Sequence, residues 1–152
     1  DEFPDFEYEE QIIDAMAALL IRDPSQFDVI VTTNMYGDIL SDEASEIAGS
    51  LGMAASLNAG EKFAMAQAQH GSAPSLAGKD QANPSSLIGS AAMLLRWIGE
   101  RREAPQFLAA ADAIEQAITK AVATASTRTA DLGGPLGTIA FTDGLLAMIK
   151  KP

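Results

Sequence analysis

The sequence predicts an α/β fold, and three observations carry that prediction. Residues 9–22 place apolar side chains at 12, 13, 16, 17, 19 and 20, the three-to-four spacing of an amphipathic helix. Val29-Ile30-Val31 is an unbroken β-branched run between turn signals, as expected for a strand covered on both faces. Further helical periods recur towards the C-terminus, so helices outnumber strands but do not exclude them. With 152 residues, 47% of them hydrophobic, the chain can bury a sizeable core and does not read as disordered.

Taken in order, Asp23-Pro24-Ser25 ends the first helix, and the strand-like run 27–34 follows. A second helix is expected to open at Gly37 and to stop near Gly49 to Gly52. From Met53 to Asn83 the periodicity weakens and Gly, Ser, Ala, Asn and Pro accumulate, with 63–68 the best short strand; a ligand-facing loop is expected here. Pro84 suits the first turn of a helix running to about Arg101, with Leu87, Ala91, Leu94, Leu95 and Ile98 facing the core. Pro105 opens another helix to about Thr124, apolar at 107, 108, 111, 114, 118 and 122. Residues 126–137 form a loop containing Gly133-Gly134-Pro135, and Thr138 caps a last helix ending near Lys150, whose lysines complement the helix dipole.

Charge and composition remove several function classes. Ten basic residues against 21 acidic ones give a net charge of −11, which argues against nucleic acid or an anionic membrane as partner. There is no cysteine and one histidine, His70, so disulfides and thiolate sites are excluded and a zinc centre is disfavoured. The most apolar run, 87–98, is interrupted by Arg96 and falls far short of the roughly 20 residues a bilayer needs. Asp1-Glu2-Phe3-Pro4-Asp5 lacks the basic and apolar regions of a signal peptide, so a cytoplasmic protein is expected.

The chemistry concentrates in Gly37-Asp38-Ile39-Leu40-Ser41-Asp42-Glu43. On a helix Asp38 and Asp42 stand at i and i+4, with Cβ atoms about 5–6 Å apart. Carboxylates that close repel unless a cation or donor lies between them, and a hard ion such as Mg²⁺ takes one or two carboxylates with water and substrate oxygens. Taken alone the pair reads more readily as a solvated helix face; the strand-turn-helix setting shifts the balance towards a metal site. Asn34, past the strand's end, either begins the turn or joins a ligand site. In His70-Gly71-Ser72-Ala73-Pro74 the glycine admits a ligand close to the backbone, and the serine and exposed amides can hold ribose or phosphate oxygens. No strand-linked Gly-x-Gly-x-x-Gly is present, so a Rossmann site is not predicted.

Read together with His70-Gly71-Ser72-Ala73-Pro74 and Ala82-Asn83-Pro84, the aspartate segment resembles the isocitrate/isopropylmalate dehydrogenase family of metal-dependent oxidative decarboxylases. The motifs occur in the family's order and cover its C-terminal half. The resemblance implies the C-terminal portion of a two-domain, non-Rossmann fold, with 1–48 from the smaller dimerisation and metal-site domain and 49–152 from the larger cofactor domain. It implies that Asp38 and Asp42 bind Mg²⁺ or Mn²⁺, and that Asp14 reaches the active site of the neighbouring subunit in a homodimer with shared sites. His70, Gly71, Ser72, Ala73, Pro74, Ser75 and Asn83 would hold the adenosine part of NAD, with NADP left open. The implied substrate is a small 2-hydroxy acid, isopropylmalate-, isocitrate-, homoisocitrate- or tartrate-like, which is oxidised and then decarboxylated.

Two positions depart from the family pattern. Ser75-Leu76 replaces the acidic residue that NAD-preferring members place after the loop, and Gln67 replaces a common glutamate. Arg128 to Asp131, with Gly133 and Gly134, matches the family's C-terminal loop close to the adenosine pocket, where Arg128 would face a 2′-phosphate; a capped turn before the last helix is the plainer reading of the same residues. The family's proton-transfer Lys and Tyr and its substrate-binding arginines lie upstream of this sequence, and Lys62 and Lys79 match no such motif. The chain is therefore expected to be a piece of a larger enzyme, with no catalytic residue of its own and silent in isolation. A non-catalytic binding or regulatory subunit of the same fold and an acidic cation-binding domain are the competing readings. Strand edges left without partners should promote association.

Overall fold

The computed structural model describes residues 6–149, and the chain falls into two compact units, Asp1–Ile47 and Ala48–Pro152. The first unit is built on two helices, α1 (Ile13–Arg22) and α2 (Asn34–Ala48). Met16 and Leu20 from α1 and Leu40 from α2 are buried together, with Ile13, Ala17, Phe27 and Ala44 packed around them. Asp23 stops α1 as expected: its carboxylate accepts from the backbone amide and hydroxyl of Ser25, turning the chain into a short 3₁₀ segment, Pro24–Gln26.

Two expectations fail in this unit. Residues 28–33 are not a strand, and Val29 and Val31 are 81% and 91% exposed. β-Branched residues favour extended backbone, but a strand exists only where a neighbouring backbone takes its hydrogen bonds, and no described strand of this unit does so. The second helix also begins one turn early. Asn34 is its first residue, and the Gly37 amide already bonds the Thr33 carbonyl at 2.8 Å, so the glycine lies inside the first turn.

The second unit begins with a hairpin of β1 (Ala55–Ala59) and β2 (Ala64–Ala68), antiparallel, with Ala55 opposite Ala68 and Ala59 opposite Ala64. The Gly60 amide closes the turn on the Phe63 carbonyl at 2.9 Å. β2 lies where a strand is expected; β1 has no β-branched or aromatic residue and takes its conformation from pairing. Three helices follow: α3 (Ser85–Arg101), α4 (Pro105–Ala123) and α5 (Thr138–Ile149). α3 packs against the hairpin and against α4, and α5 packs against α4. Ala117, Ala121, Phe141 and Leu145 form the core, flanked by Ile88, Ile118, Val122, Leu136 and Met148. The lysines expected to end α5 lie outside the described residues.

The buried face of α3 corrects another expectation. Leu87 is 60% exposed and Ala91 is exposed, while Ser85, Ser86, Ser90, Ala92 and Gly99 are buried. Small residues let the helix approach its neighbours closely. A Cβ on Gly99 would come within 2.7 Å of Leu108 Cδ2, so glycine sets the α3–α4 spacing. On the other side two serine hydroxyls stitch α3 to the hairpin backbone. Ser86 Oγ donates to the Ala54 carbonyl and accepts from the Gln69 amide. Ser90 Oγ accepts from the Ser56 amide at 3.1 Å and lies 2.7 Å from the Gln67 carbonyl. No described helix is long and apolar enough to cross a membrane.

Candidate functional site

The helical period of α2 puts Asp38 and Asp42 one turn apart, and both are exposed. Asp38 Oδ2 accepts from Asn34 Nδ2 at 3.4 Å, so Asn34 opens the helix and touches the first of the two carboxylates. Asp14 lies in the first turn of α1, exposed, its Oδ1 accepting from the Ala15 amide at 2.7 Å. Among the described residues no three His, Cys, Asp or Glu side chains gather into a group able to hold a metal ion. The chain thus brings Asp38 and Asp42 together and leaves Asp14 outside a three-carboxylate cluster. Two accessible oxygen donors one turn apart still fit Mg²⁺ or Mn²⁺, ions that leave several positions to water and substrate.

The loop after β2 is held at its base and open at its tip. The Gln69 amide bonds Ser86 Oγ at 3.3 Å, and His70 Nδ1 lies 2.9 Å from the Gly71 carbonyl. Gly71, Ser72, Ala73, Pro74 and Ser75 are all exposed. A Cβ on Gly71 would meet nothing within 4 Å, so the main chain is accessible there. Ala73 adopts a left-handed conformation, φ 41° and ψ 61°, uncommon outside glycine, and turns the chain into the 3₁₀ segment Pro74–Leu76. An exposed main chain with hydroxyls on a sharp turn fits the polar edge of a nucleotide.

Downstream the loop is pinned twice. Asp80 Oδ1 accepts from the Ile139 amide at 2.8 Å, and its carbonyl accepts from the Thr138 amide at 3.3 Å, capping α5 from 59 residues away. Asn83 is only 7% exposed, and both ends of its amide are engaged. Its Oδ1 accepts from the Ser85 amide at 2.9 Å, capping α3, while its Nδ2 donates to Asp131 Oδ2 at 2.9 Å. The same Asp131 oxygen accepts from Ser50 Oγ at 2.5 Å. Burial pushes the Asp131 carboxyl pKa up, but hydrogen bonds from Ser50 and Asn83, the nearby Thr129 hydroxyl and its own backbone outweigh it and hold the group below the ordinary aspartate value. The Thr129 hydroxyl oxygen is itself enclosed, away from solvent.

Sequence reading missed Ser50 and Asp80. Their partners lie 81 and 59 residues away, so no local pattern points to them. Arg128 corrects an expectation. Its Nε donates to the Val122 carbonyl at 2.5 Å and a second guanidinium nitrogen lies 3.4 Å from the Ala123 carbonyl. The cation therefore sits on the C-terminal carbonyls of α4, at the negative end of that helix, with two of its three nitrogens tied to backbone there and not wholly turned to a phosphate.

Comparison with known proteins agrees with these motifs. The isocitrate/isopropylmalate dehydrogenase family model matches residues 1–145. A 3-isopropylmalate dehydrogenase from Saccharolobus solfataricus is 46% identical over 127 residues, 84% of this chain and 38% of the relative. One from Lactococcus lactis is 47% identical over 147 residues, 96% of this chain and 41% of the relative. An isocitrate dehydrogenase [NAD] catalytic subunit of Arabidopsis thaliana is 42% identical over 146 residues, 95% of this chain and 37% of the relative. The crystal structure of isocitrate dehydrogenase from Methylococcus capsulatus superposes with a TM-score of 0.88 at 38% identity, covering 99% of this chain and 43% of that one. The chain spans about two fifths of the length of the relatives it matches. Across that span the aspartate helix, the His-Gly-Ser-Ala-Pro loop and the Asn-Pro start of α3 fall within one matched region, and the chain belongs to the isocitrate/isopropylmalate dehydrogenase family.

Proposed function

We propose that this chain is the C-terminal part of an enzyme that oxidises a small 2-hydroxy acid and removes the carboxylate beta to the new ketone, using a nicotinamide cofactor and a divalent ion. The observation that carries the reading is the Asp38/Asp42 pair, accessible and one turn apart, in a chain matched to the family over residues 1–145. Bound Mg²⁺ or Mn²⁺ supplies Lewis acidity towards the hydroxyl and carboxylate oxygens of the substrate. Asp38 and Asp42 fix that charge, Asn34 orients Asp38, and Asp14 serves the site of a partner subunit. His70, Gly71, Ser72, Ala73, Pro74 and Ser75 offer main-chain and hydroxyl groups to the adenosine end of NAD or NADP. Asn83, its side-chain amide already engaged, contributes by fixing the backbone beside that loop. The groups that move the protons belong to the rest of the enzyme.

The test is a calorimetric titration of the chain with Mn²⁺, repeated on Asp38→Asn/Asp42→Asn. The double variant should bind at least about tenfold more weakly, the scale on which even outer-shell partners of a metal act. Equal affinity refutes the metal reading. Isolated, the chain should form no NAD(P)H from isopropylmalate or isocitrate.

A further inference from the structure

We infer that Asp131 is a positioning residue of the nucleotide pocket, acting through Asn83 as an oxygen acceptor that locks the downstream leg of the 70–83 loop. This rests on the reading of that loop as the adenosine site. Two hydrogen bonds meet at one atom. Asp131 Oδ2 receives the Asn83 amide at 2.9 Å and the Ser50 hydroxyl at 2.5 Å, joining segments 81 and 48 residues apart in sequence. The remaining end of the Asn83 amide holds the Ser85 N–H, so the asparagine can neither rotate nor flip without breaking a bond on each side. Gly52 leaves room for the arrangement: a Cβ there would lie 2.8 Å from Asn83 Cβ and 3.0 Å from Asp131 Oδ2.

The chemistry explains the residue types. Position 83 must donate in one direction and accept in the other, which among small side chains an amide does and a carboxylate does not. An aspartate at 83 would set two carboxylates against each other. Position 131 must accept twice at one oxygen, which either a carboxylate or an amide oxygen can do. Asp131 makes no claim on the ligand. Its effect is to hold Asn83 and the start of α3 in one place, so that the backbone at 82–83 meets a nucleotide already set.

The experiment follows NAD binding to the 152-residue chain by ¹H–¹⁵N NMR, together with amide exchange. Asp131→Ala should weaken NAD binding about tenfold, the worth of one or two hydrogen bonds, and Asp131→Asn should restore it to within about threefold. Ser85 should exchange faster in Asp131→Ala while the amides of the 55–68 hairpin keep their protection. Unchanged affinity in Asp131→Ala overturns the proposal, and so does an equal loss in Asp131→Asn, which would place charge above geometry. If the unaltered chain binds no NAD, the cofactor reading fails by itself. Positioning is then decided by Ser85 exchange, which must accelerate in Asp131→Ala and overturns the proposal if it does not. Should Asp131→Ala also strip protection from the hairpin, Gly52→Ala is the deciding variant. It keeps every polar group, displaces Asn83 and Asp131, and must weaken binding or, where none exists, speed Ser85 exchange; wild-type behaviour overturns the proposal.

Discussion

Residues 28–33 and residues 85–90 reverse the usual arrangement of apolar and polar side chains. Val31 is 91% exposed and Val29 81%, whereas Ser85 is 1% exposed and Ser86 and Ser90 are fully buried. Hydropathy alone would have exchanged them. The difference lies in what the neighbouring backbone offers. The valine run is extended with no described strand beside it, and Val29 and Val31 stay exposed among the described residues. α3 lies against a paired hairpin whose end carbonyls and amides need partners, and the hydroxyls of Ser86 and Ser90 supply them at short range, whereas the Ser85 hydroxyl is buried without a hydrogen bond. A small polar side chain with both bonds made is a good core residue; a large apolar one without a neighbour is not.

The strongest way to break the comparison is Ser86→Ala. If the hydroxyl holds the hairpin, removing it leaves the Ala54 carbonyl and the Gln69 amide with the longer 3.4 Å bond between them, costing about 0.5–1.5 kcal/mol. Urea unfolding followed by the fluorescence of Trp97, the single tryptophan and a residue of α3, measures it. A neutral result would mean that the serines are buried for their size alone.

The same contrast sets what the sequence made legible. α1 and α4 follow from apolar periodicity because each buries an apolar stripe, and Met16, Leu20 and Ala111 lie where a periodic face would put them, whereas α5 was placed by its terminal residues and not by a period. α3 was located by Pro84 but its buried side was misjudged, since periodicity counts leucines and the hairpin selects serines. β1 and the loss of the 28–33 strand were both illegible for one reason: pairing partners decide strands, and local sequence does not contain them. In the site, Asp38 and Asp42 could be read because their relation is local, four residues along one helix. The motifs at Asn83 and at Arg128–Asp131 point to one pocket by resemblance, but the bonds that join Asp131, Asn83 and Ser50 arise only through the fold and cannot be read from those motifs.

A second effect, smaller because Asp131 keeps an exposed side, comes from pH. The folded state holds this carboxyl below its unfolded value, so the folded protein favours the ionised form. The stabilisation is complete above about pH 4, the unfolded aspartate range, and is lost as pH falls through the lower folded value. Stability of the wild type minus that of Asp131→Asn, measured from neutral pH downward, should stay constant to about pH 4 and then shrink. A difference that grows with acid would reverse the assigned sign.

The smallest expected effect is the most informative about the valine run. At 91% exposure Val31 has almost no contact to lose, so Val31→Lys should change the unfolding free energy of this chain by less than about 0.5 kcal/mol. The substitution nevertheless puts a charge on an uncovered extended backbone beside exposed Val29, the arrangement that natural edge strands use to block pairing with another chain. Monomer stability and association should therefore separate: the denaturant midpoint stays, while concentration-dependent association seen by sedimentation falls. A large loss of stability would mean that Val31 is covered in solution, and the contrast with the serines of α3 would then fail. Unchanged stability with unchanged association would remove the run as an adhesive edge, leaving extended geometry as the only property it shares with a strand.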